Sequence, residues 1–253
     1  MKLKRKSTVQ KSEDNPLSLA LLTEDDTPLI NFQPEVIDAL RRMISRLVLR
    51  DALPARLAMT AALRQEGVTY LSRALATIMA NDLNVRVCVI ELNWWWPDRL
   101  LLSESETGGL AAVLAGEIPL RKALVHTGQR NLVILPAGKM PQADRPVLAR
   151  NEALKNIIHE LSEQFDHLIL DIPAILTTND AIPLAALADS CCLVIHQGVT
   201  SIENVRMALD DIDHLEITGI IMNKARIATP PWILKLIPQD SISETGTVPY
   251  PMS

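Results

Sequence analysis

The chain is short of glycine, aromatic residues and cysteine. Only 9 of its 253 residues are glycine, which leaves little room for the glycine-rich loops that cradle phosphates. No apolar run approaches the roughly 18 residues that a membrane-spanning helix needs. The short stretch from Pro16 to Leu22 is followed by acids and lacks a small-residue cleavage site, so a secretion signal is not expected. These absences favour a cytoplasmic protein.

The cysteines and histidines do not have the spacing of metal ligands. Cys88, Cys191 and Cys192 all lie in apolar runs, and adjacent residues of a strand point to opposite faces. We therefore expect reduced, buried thiols. The five histidines are scattered and predict neither a metal site nor a catalytic triad.

The charge distribution argues against a nucleic-acid partner. The net charge is −5, so no basic field covers the molecule. The one basic cluster lies at residues 2–11, within a polar stretch. We predict a disordered arm over residues 1–30, a single domain over 31–240 and an irregular tail over 241–253.

Two periodicities alternate along the predicted domain. Apolar residues at helical spacing begin at Pro34 and recur near residues 71–79, 110–114, 154–161 and 205–215. Between them lie short apolar runs at 56–62, 86–92, 132–135, 167–172, 191–195 and 218–222. Fully apolar strands separated by amphipathic helices predict an α/β fold with a doubly wound, mostly parallel sheet. Its ligand crevice should lie at the carboxyl ends of the strands.

The first strand–loop–helix unit, MTAALRQEGVTYLSRALA, resembles the P-loop segment of the bacterial tyrosine kinases of capsular polysaccharide synthesis. That family belongs with the MinD/ParA-like ATPases. Further blocks follow in the family's order across about residues 34–240: VCVIELNWWWP, GLAAVLAGE, NLVILPAGKMP, FDHLILDIPA, NDAIPLAALAD and GIIMNKA. The resemblance implies a P-loop NTPase-like fold with ATP or ADP and Mg²⁺ as cofactors.

The loop residues depart from the family's pattern. The resemblance assigns the cofactor contacts of the loop to Glu66, Gly67, Val68, Thr69 and Tyr70. Val68 stands where the family has its phosphate-binding lysine, and losing such a contact removes roughly 2–4 kcal/mol of transition-state stabilisation. Thr69 matches the magnesium-binding hydroxyl, or it simply begins the helix. Binding of ATP and Mg²⁺ should therefore be weakened.

Two neighbouring loop residues bear on the lost charge. Gln65 replaces a usual glycine, so we expect the loop to be strained if it takes the phosphate-binding shape. Arg64 offers a substitute cation, or it is an ordinary solvated loop arginine.

The acidic motifs survive in part. Glu91 and Asn93 stand at the family's two Asp positions, and Glu91 is a candidate catalytic base. Asp171 matches the acid that anchors magnesium, as a catalytic and metal residue; a cap or turn role is the alternative. Asn223 matches a position that contacts adenine, or it stabilises the loop after its strand.

Two segments are candidates for interaction. Trp94, Trp95 and Trp96 follow a predicted strand, and three adjacent side chains cannot all face one core, so at least one should lie at the rim of the crevice. The helix after Pro34 resembles the family's Glu-x-x-Arg-x-x-Arg ring motif through Glu35 and Arg41. Asp38 replaces the middle arginine, which puts the ring in doubt.

The resemblance leaves three functional hypotheses. The first is a catalytically impaired relative that serves as a regulatory or scaffold protein in exopolysaccharide or capsule export. Its partners would be copies of itself, an active kinase or the cytoplasmic tail of a membrane export protein, which would recruit it to the membrane. The second is an active kinase or ATPase with an unusual cation, and the third a MinD/ParA-like positioning protein. The family's tyrosine-rich tail is reduced to Tyr250.

Overall fold

The computed structural model describes residues 19–97 and 108–225. The basic residues 2–11, Tyr250 and the predicted tail lie outside the described residues. The strands are β1 Ala20–Leu22, β2 Pro28–Asn31, β3 Arg56–Ala61, β4 Val87–Glu91, β5 Val125–His126, β6 Leu132–Leu135, β7 His167–Asp171, β8 Ser190–His196 and β9 Ile217–Asn223. The α-helices are α1 Pro34–Leu49, α2 Val68–Ile78, α3 Gly109–Leu114, α4 Leu120–Ala123, α5 Arg145–Leu148, α6 Glu152–Gln164, α7 Ala181–Ala185 and α8 Ile202–Asp211. A π-helical turn, Met79–Leu83, continues α2.

The main sheet has seven strands in the order β5-β6-β4-β7-β3-β8-β9. All of its pairings are parallel except that of β5 with β6. The strand order reverses beside β3, which is where parallel α/β sheets open a crevice. The predicted doubly wound, mostly parallel sheet is confirmed.

Helices cover both faces of this sheet. Helices α1 and α2 pack on one face, and α3, α6, α7 and α8 pack on the other. The adjacent cysteines lie on opposite faces as expected. Cys192 packs on the face with α1 and α2, and Cys191 packs on the other face. The three thiols are free and buried, and burial raises the pKa of Cys191 to about 12. The prediction that the thiols are buried is confirmed.

The polar segment before α1 contains structure that the sequence patterns did not reveal. Strands β1 and β2 form an antiparallel pair, so the predicted disordered arm is wrong for the residues of this hairpin. Leu21 is fully buried. The side chain of Gln129 holds β1 by donating to the Ala20 carbonyl at 2.6 Å and accepting from the Leu22 amide at 3.3 Å. Contacts with residues more than 100 positions away therefore order this hairpin.

Helix α1 leads from the hairpin to the sheet. Pro34 occupies its first turn, where the missing N–H costs nothing, and Ile37, Leu40 and Ile44 form its buried face. None of the helices in the described ranges is both long and apolar enough to span a bilayer.

Candidate functional site

The loop between β3 and α2 contains two residues with a positive φ. Gln65 has a φ of 65° and Gly67 a φ of 97°, both in the left-handed region. For a residue with a side chain, that conformation costs roughly 1–2 kcal/mol. The expected strain at Gln65 is therefore present, and the loop keeps its shape in spite of it.

Side chains from outside the loop hold this shape. The Asn223 amide donates to the Glu66 carbonyl at 2.7 Å, and the Lys224 ammonium donates to the Gln65 carbonyl at 3.3 Å. The carboxylate of Glu66 is buried and accepts a hydrogen bond from the Thr200 hydroxyl. Asn223 thus contacts the loop between β3 and α2, whereas the alternative to an adenine contact was stabilisation of the loop after its own strand. Lys224 was missed, although it follows Asn223 directly in the sequence.

The cavity in front of the loop is small, at about 220 Å³. Ligand pockets usually enclose about 300–1,000 Å³. Val68 contributes an aliphatic wall where a lysine ammonium would reach a phosphate. The full lining comprises Leu63, Arg64, Gln65, Glu66, Gly67, Val68, Thr69, Tyr70, Asn93, Trp96, Ile172 and Ala174.

The rim of this cavity is formed by a stacked pair. The guanidinium carbon of Arg64 lies 3.9 Å from the centre of the Trp96 ring, a cation–π contact. The Trp96 amide donates to the Asn93 side chain at 3.2 Å, which fixes the turn that carries the indole. Arg64 therefore stacks on the rim tryptophan while remaining exposed, which is compatible with the solvated arginine given as the alternative.

The three consecutive tryptophans separate as the sequence predicts. Trp95 and Trp96 are half-buried. Trp94 is only 1% exposed, and its indole N–H donates to the Ala137 carbonyl at 2.8 Å. The prediction that Trp94 is an interaction residue is therefore wrong, because its side chain lies inside the core with its polar atom satisfied.

The two acidic motifs meet on one face of the sheet. Glu91 ends β4 and Asp171 ends β7, and the two residues are register partners on these neighbouring parallel strands. Partners in register point to the same side of a sheet, and both of these carboxylates are buried. The structure thus brings together the two residues that were expected to act as base and metal anchor.

A cation that the sequence analysis missed occupies this acidic face. The Nη2 atom of Arg73, in α2, lies 2.5 Å from the Oε1 atom of Glu91. The side chains are 1% and 6% exposed. The signal was available, since Arg73 interrupts the apolar face of VTYLSRALATI and a buried arginine requires an acidic partner.

A magnesium ion does not fit these residues as they stand. Asp171 and Thr69 are the predicted metal residues, and Glu91 beside Asp171 already pairs with the Arg73 guanidinium, so this face holds a fixed positive charge that opposes a second cation. Across residues 19–97 and 108–225, no group of three or more His, Cys, Asp or Glu residues has the arrangement of a metal site. Thr69 lies on the cavity wall and adds one hydroxyl.

Two other predicted site residues have partners within the chain. The Tyr70 hydroxyl accepts from the Gln33 amide at 3.0 Å, and its ring contacts Phe32 edge-on. These contacts join the start of α1 to α2. Tyr70 therefore anchors a helix entry as well as lining the cavity.

The ring-motif residues on α1 differ in their surroundings. The Arg41 guanidinium holds Asp82 through two hydrogen bonds, of 2.7 and 3.2 Å, and Asp38 pairs with Arg42. Burial acts to raise the pKa of Asp82, but hydrogen bonds from Arg41 and Asn81 leave that pKa below its ordinary value. Glu35 is exposed in the first turn. Arg41 is thus engaged within its own chain.

Comparison with known proteins finds sequence relatives and structural neighbours. No family model matches the chain. It is 26% identical over 160 residues to the tyrosine-protein kinase ptk of Acinetobacter johnsonii, which covers 62% of this chain and 22% of the kinase. It is 26% identical over 172 residues to the tyrosine-protein kinase YwqD of Bacillus subtilis, covering 67% of this chain and 72% of YwqD. The match spans less than a quarter of the length of several curated relatives, including the kinase ptk.

Solved structures share the fold. The kinase domain of the Escherichia coli tyrosine kinase ETK superposes with a TM-score of 0.66 at 21% identity, covering 76% of this chain and 78% of that one. The septum site-determining protein MinD of Pyrococcus horikoshii, solved with Mg-ADP, superposes with a TM-score of 0.56 at 21% identity, covering 72% and 76%. The chain is a homologue of the bacterial tyrosine kinases and has the MinD/ParA type of P-loop fold.

Proposed function

We propose that this protein is a catalytically impaired relative of the bacterial tyrosine kinases and acts as a regulatory or scaffold protein in exopolysaccharide or capsule biosynthesis and export. The observation that carries the proposal is Val68, an isopropyl group on the wall of the phosphate cavity. A triphosphate needs a cation at this point because negative charge develops on its phosphate oxygens in the transition state.

The surroundings of Val68 support the proposal. Two cations near the loop already have partners within the chain, since Arg64 stacks on Trp96 and Lys224 donates to the Gln65 carbonyl. Neither takes the position of the missing lysine in the chain. The cavity of about 220 Å³ is also smaller than the usual ligand site.

Self-phosphorylation is disfavoured by the tyrosines. The chain has only 2 of them. The Tyr70 hydroxyl is hydrogen-bonded to the backbone at Gln33. Tyr250 would be a lone acceptor. A protein of this kind would act through binding.

The relatives suggest the pathway. One of them is the succinoglycan biosynthesis transport protein ExoP of Rhizobium meliloti, 26% identical over 173 residues. By analogy, the partner would be an active kinase or the cytoplasmic tail of a membrane export protein. The half-buried Trp95 and the exposed Glu35 are the candidate contacts on this chain.

Two measurements test the proposal. Calorimetric titration with ATP and Mg²⁺, beside an ATPase assay, should show no turnover, with YwqD as the active control. Micromolar binding with turnover would refute the impairment. Binding of a purified export-protein tail should weaken on Glu35→Lys or Trp95→Ala; binding that neither change alters would remove the proposed contacts.

A second candidate is an active ATPase that uses a non-standard cation. The position of Lys224 beside the loop favours it, because breaking one weak hydrogen bond to Gln65 would free an ammonium group. Hydrolysis by the unmodified protein that is abolished by Lys224→Ala or Arg64→Ala would establish this function. Absence of hydrolysis in the unmodified protein removes it.

A further inference from the structure

Arg73 lies where it meets the acidic face of the nucleotide crevice. It lies four positions after Thr69, so the two side chains share one side of α2. Long helical side chains lean towards the helix N-terminus, which brings the Arg73 guanidinium back towards the loop. Its Nη2 atom reaches Glu91 Oε1 at 2.5 Å.

The acids on this face are Glu91, the predicted base that Arg73 contacts, and Asp171, the predicted metal anchor. Glu91 and Asp171 are register partners at the ends of adjacent strands. Strands in a sheet are about 4.8 Å apart, and a nearby positive charge favours the ionised form of carboxylates on neighbouring strands. Magnesium would supply that charge in a nucleotide-bound relative, and here the chain carries a cation of its own.

Burial keeps the Arg73 guanidinium in the place of a metal ion. The side chains of Arg73 and Glu91 are 1% and 6% exposed, so neither is screened by solvent. A guanidinium is always charged and cannot leave by deprotonation. A metal ion would have to displace a covalently attached competitor of permanent charge.

We propose that Arg73 is a resident counterion that takes the place of the divalent cation, so that the acidic face of this crevice has lost its affinity for metal. The inference extends the proposed function, on which it rests, by stating how the metal site was closed. It predicts that the fold needs no metal and that removing the guanidinium exposes a divalent-cation site.

Manganese titration without nucleotide tests the proposal. We expect the unmodified protein to show no Mn²⁺ binding at Glu91. Arg73→Met should bind Mn²⁺ at least tenfold more tightly than any binding measured for the unmodified protein, and bound Mn²⁺ should raise the thermal stability of this variant. Arg73→Lys retains a cation and should behave as the unmodified protein does. Arg86→Met is the matched control, because it frees an acid from an exposed ion pair with Asp166 and should create no site.

The outcomes separate this inference from the proposed function. Mn²⁺ binding by the unmodified protein that is lost in Glu91→Gln overturns it, and so does a folded Arg73→Met that binds no more Mn²⁺ than Arg73→Lys. An Arg73→Met protein that folds only with Mn²⁺ supports it. If that variant folds under neither condition, the unmodified protein and Glu91→Gln decide. ATP turnover is measured separately. Turnover would refute the proposed catalytic impairment, whereas the counterion proposal is tested by metal binding alone.

Discussion

The side-chain amide of Asn223 occupies the space that a Cβ atom on Gly67 would need, since its Nδ2 atom lies 2.3 Å from that position. The same amide donates to the Glu66 carbonyl. One asparagine at the end of β9 therefore clamps the loop and would have to shift if a side chain were placed at Gly67. The loop that would hold phosphates is stabilised by the protein itself.

Gly67→Ala tests this clamp. We expect it to lower the free energy of unfolding by about 2–3 kcal/mol, from left-handed strain plus loss of the amide hydrogen bond. Gly116→Ala is the matched control, because Gly116 also has a positive φ but no atom within 4 Å of its added Cβ; it should cost only about 1 kcal/mol. Urea unfolding measures both, and equal losses would contradict the clamp.

The buried ion pair makes a separate prediction for stability. Arg73→Met leaves Glu91 buried without this partner, which should cost about 3–5 kcal/mol. Arg73→Met combined with Glu91→Leu should restore stability to that of the unmodified protein or better, because paired burial of charge is itself expensive. Denaturant unfolding of the single and double variants gives the coupling energy. Additive losses would show that the pair is not energetically coupled.

Val68→Lys tests the missing charge. A charge-assisted hydrogen bond is worth about 1.5–3 kcal/mol, so we expect ADP to bind roughly tenfold to a hundredfold more tightly. Hydrolysis should stay absent because Glu91 is still engaged by Arg73. Calorimetry measures the affinity, and Val68→Met controls for the change in volume. Unchanged ADP affinity would indicate that the loop cannot accept a phosphate at all.

The ion pair of Asp166 with Arg86 should contribute to the pH dependence of folding stability in acid. The side chain and backbone N–H of Arg86 donate to it and lower its pKa to about 2, from an ordinary 3.8. Since the folded-state pKa is depressed, its stabilisation is complete above about pH 4 and is lost as the pH falls towards 2. Asp166→Asn should be less stable at neutral pH and show a shallower loss between those values. Thermal unfolding across this range checks the slope.

The thiols should be inert while the protein is folded. Burial raises the pKa of Cys192 to about 12 and that of Cys88 further above its ordinary value, and only thiolates react readily. A chromogenic disulfide reagent at neutral pH should therefore label no described cysteine until denaturant is added. Rapid labelling of the folded protein would show that the sheet opens locally.

Local pattern in the sequence was enough for the architecture. Apolar runs with strand and helix periods predicted the main sheet, and the alternation of a strand placed Cys191 and Cys192 on opposite faces. The missing lysine at Val68 came from the resemblance to the family's P-loop segment, in which a lysine follows the glycine that matches Gly67. Such features depend on neighbours in the chain.

The tertiary structure alone decided which distant groups meet. The hairpin of β1 and β2 depends on Gln129, more than 100 residues away, and its short strands have no stable fold by themselves. Arg73 reads in sequence as one arginine in a helix; its meaning comes from the register that sets Glu91 beside Asp171. Periodicity is a property of neighbours along the chain, whereas charge pairing depends on where packing brings the ends of separate strands.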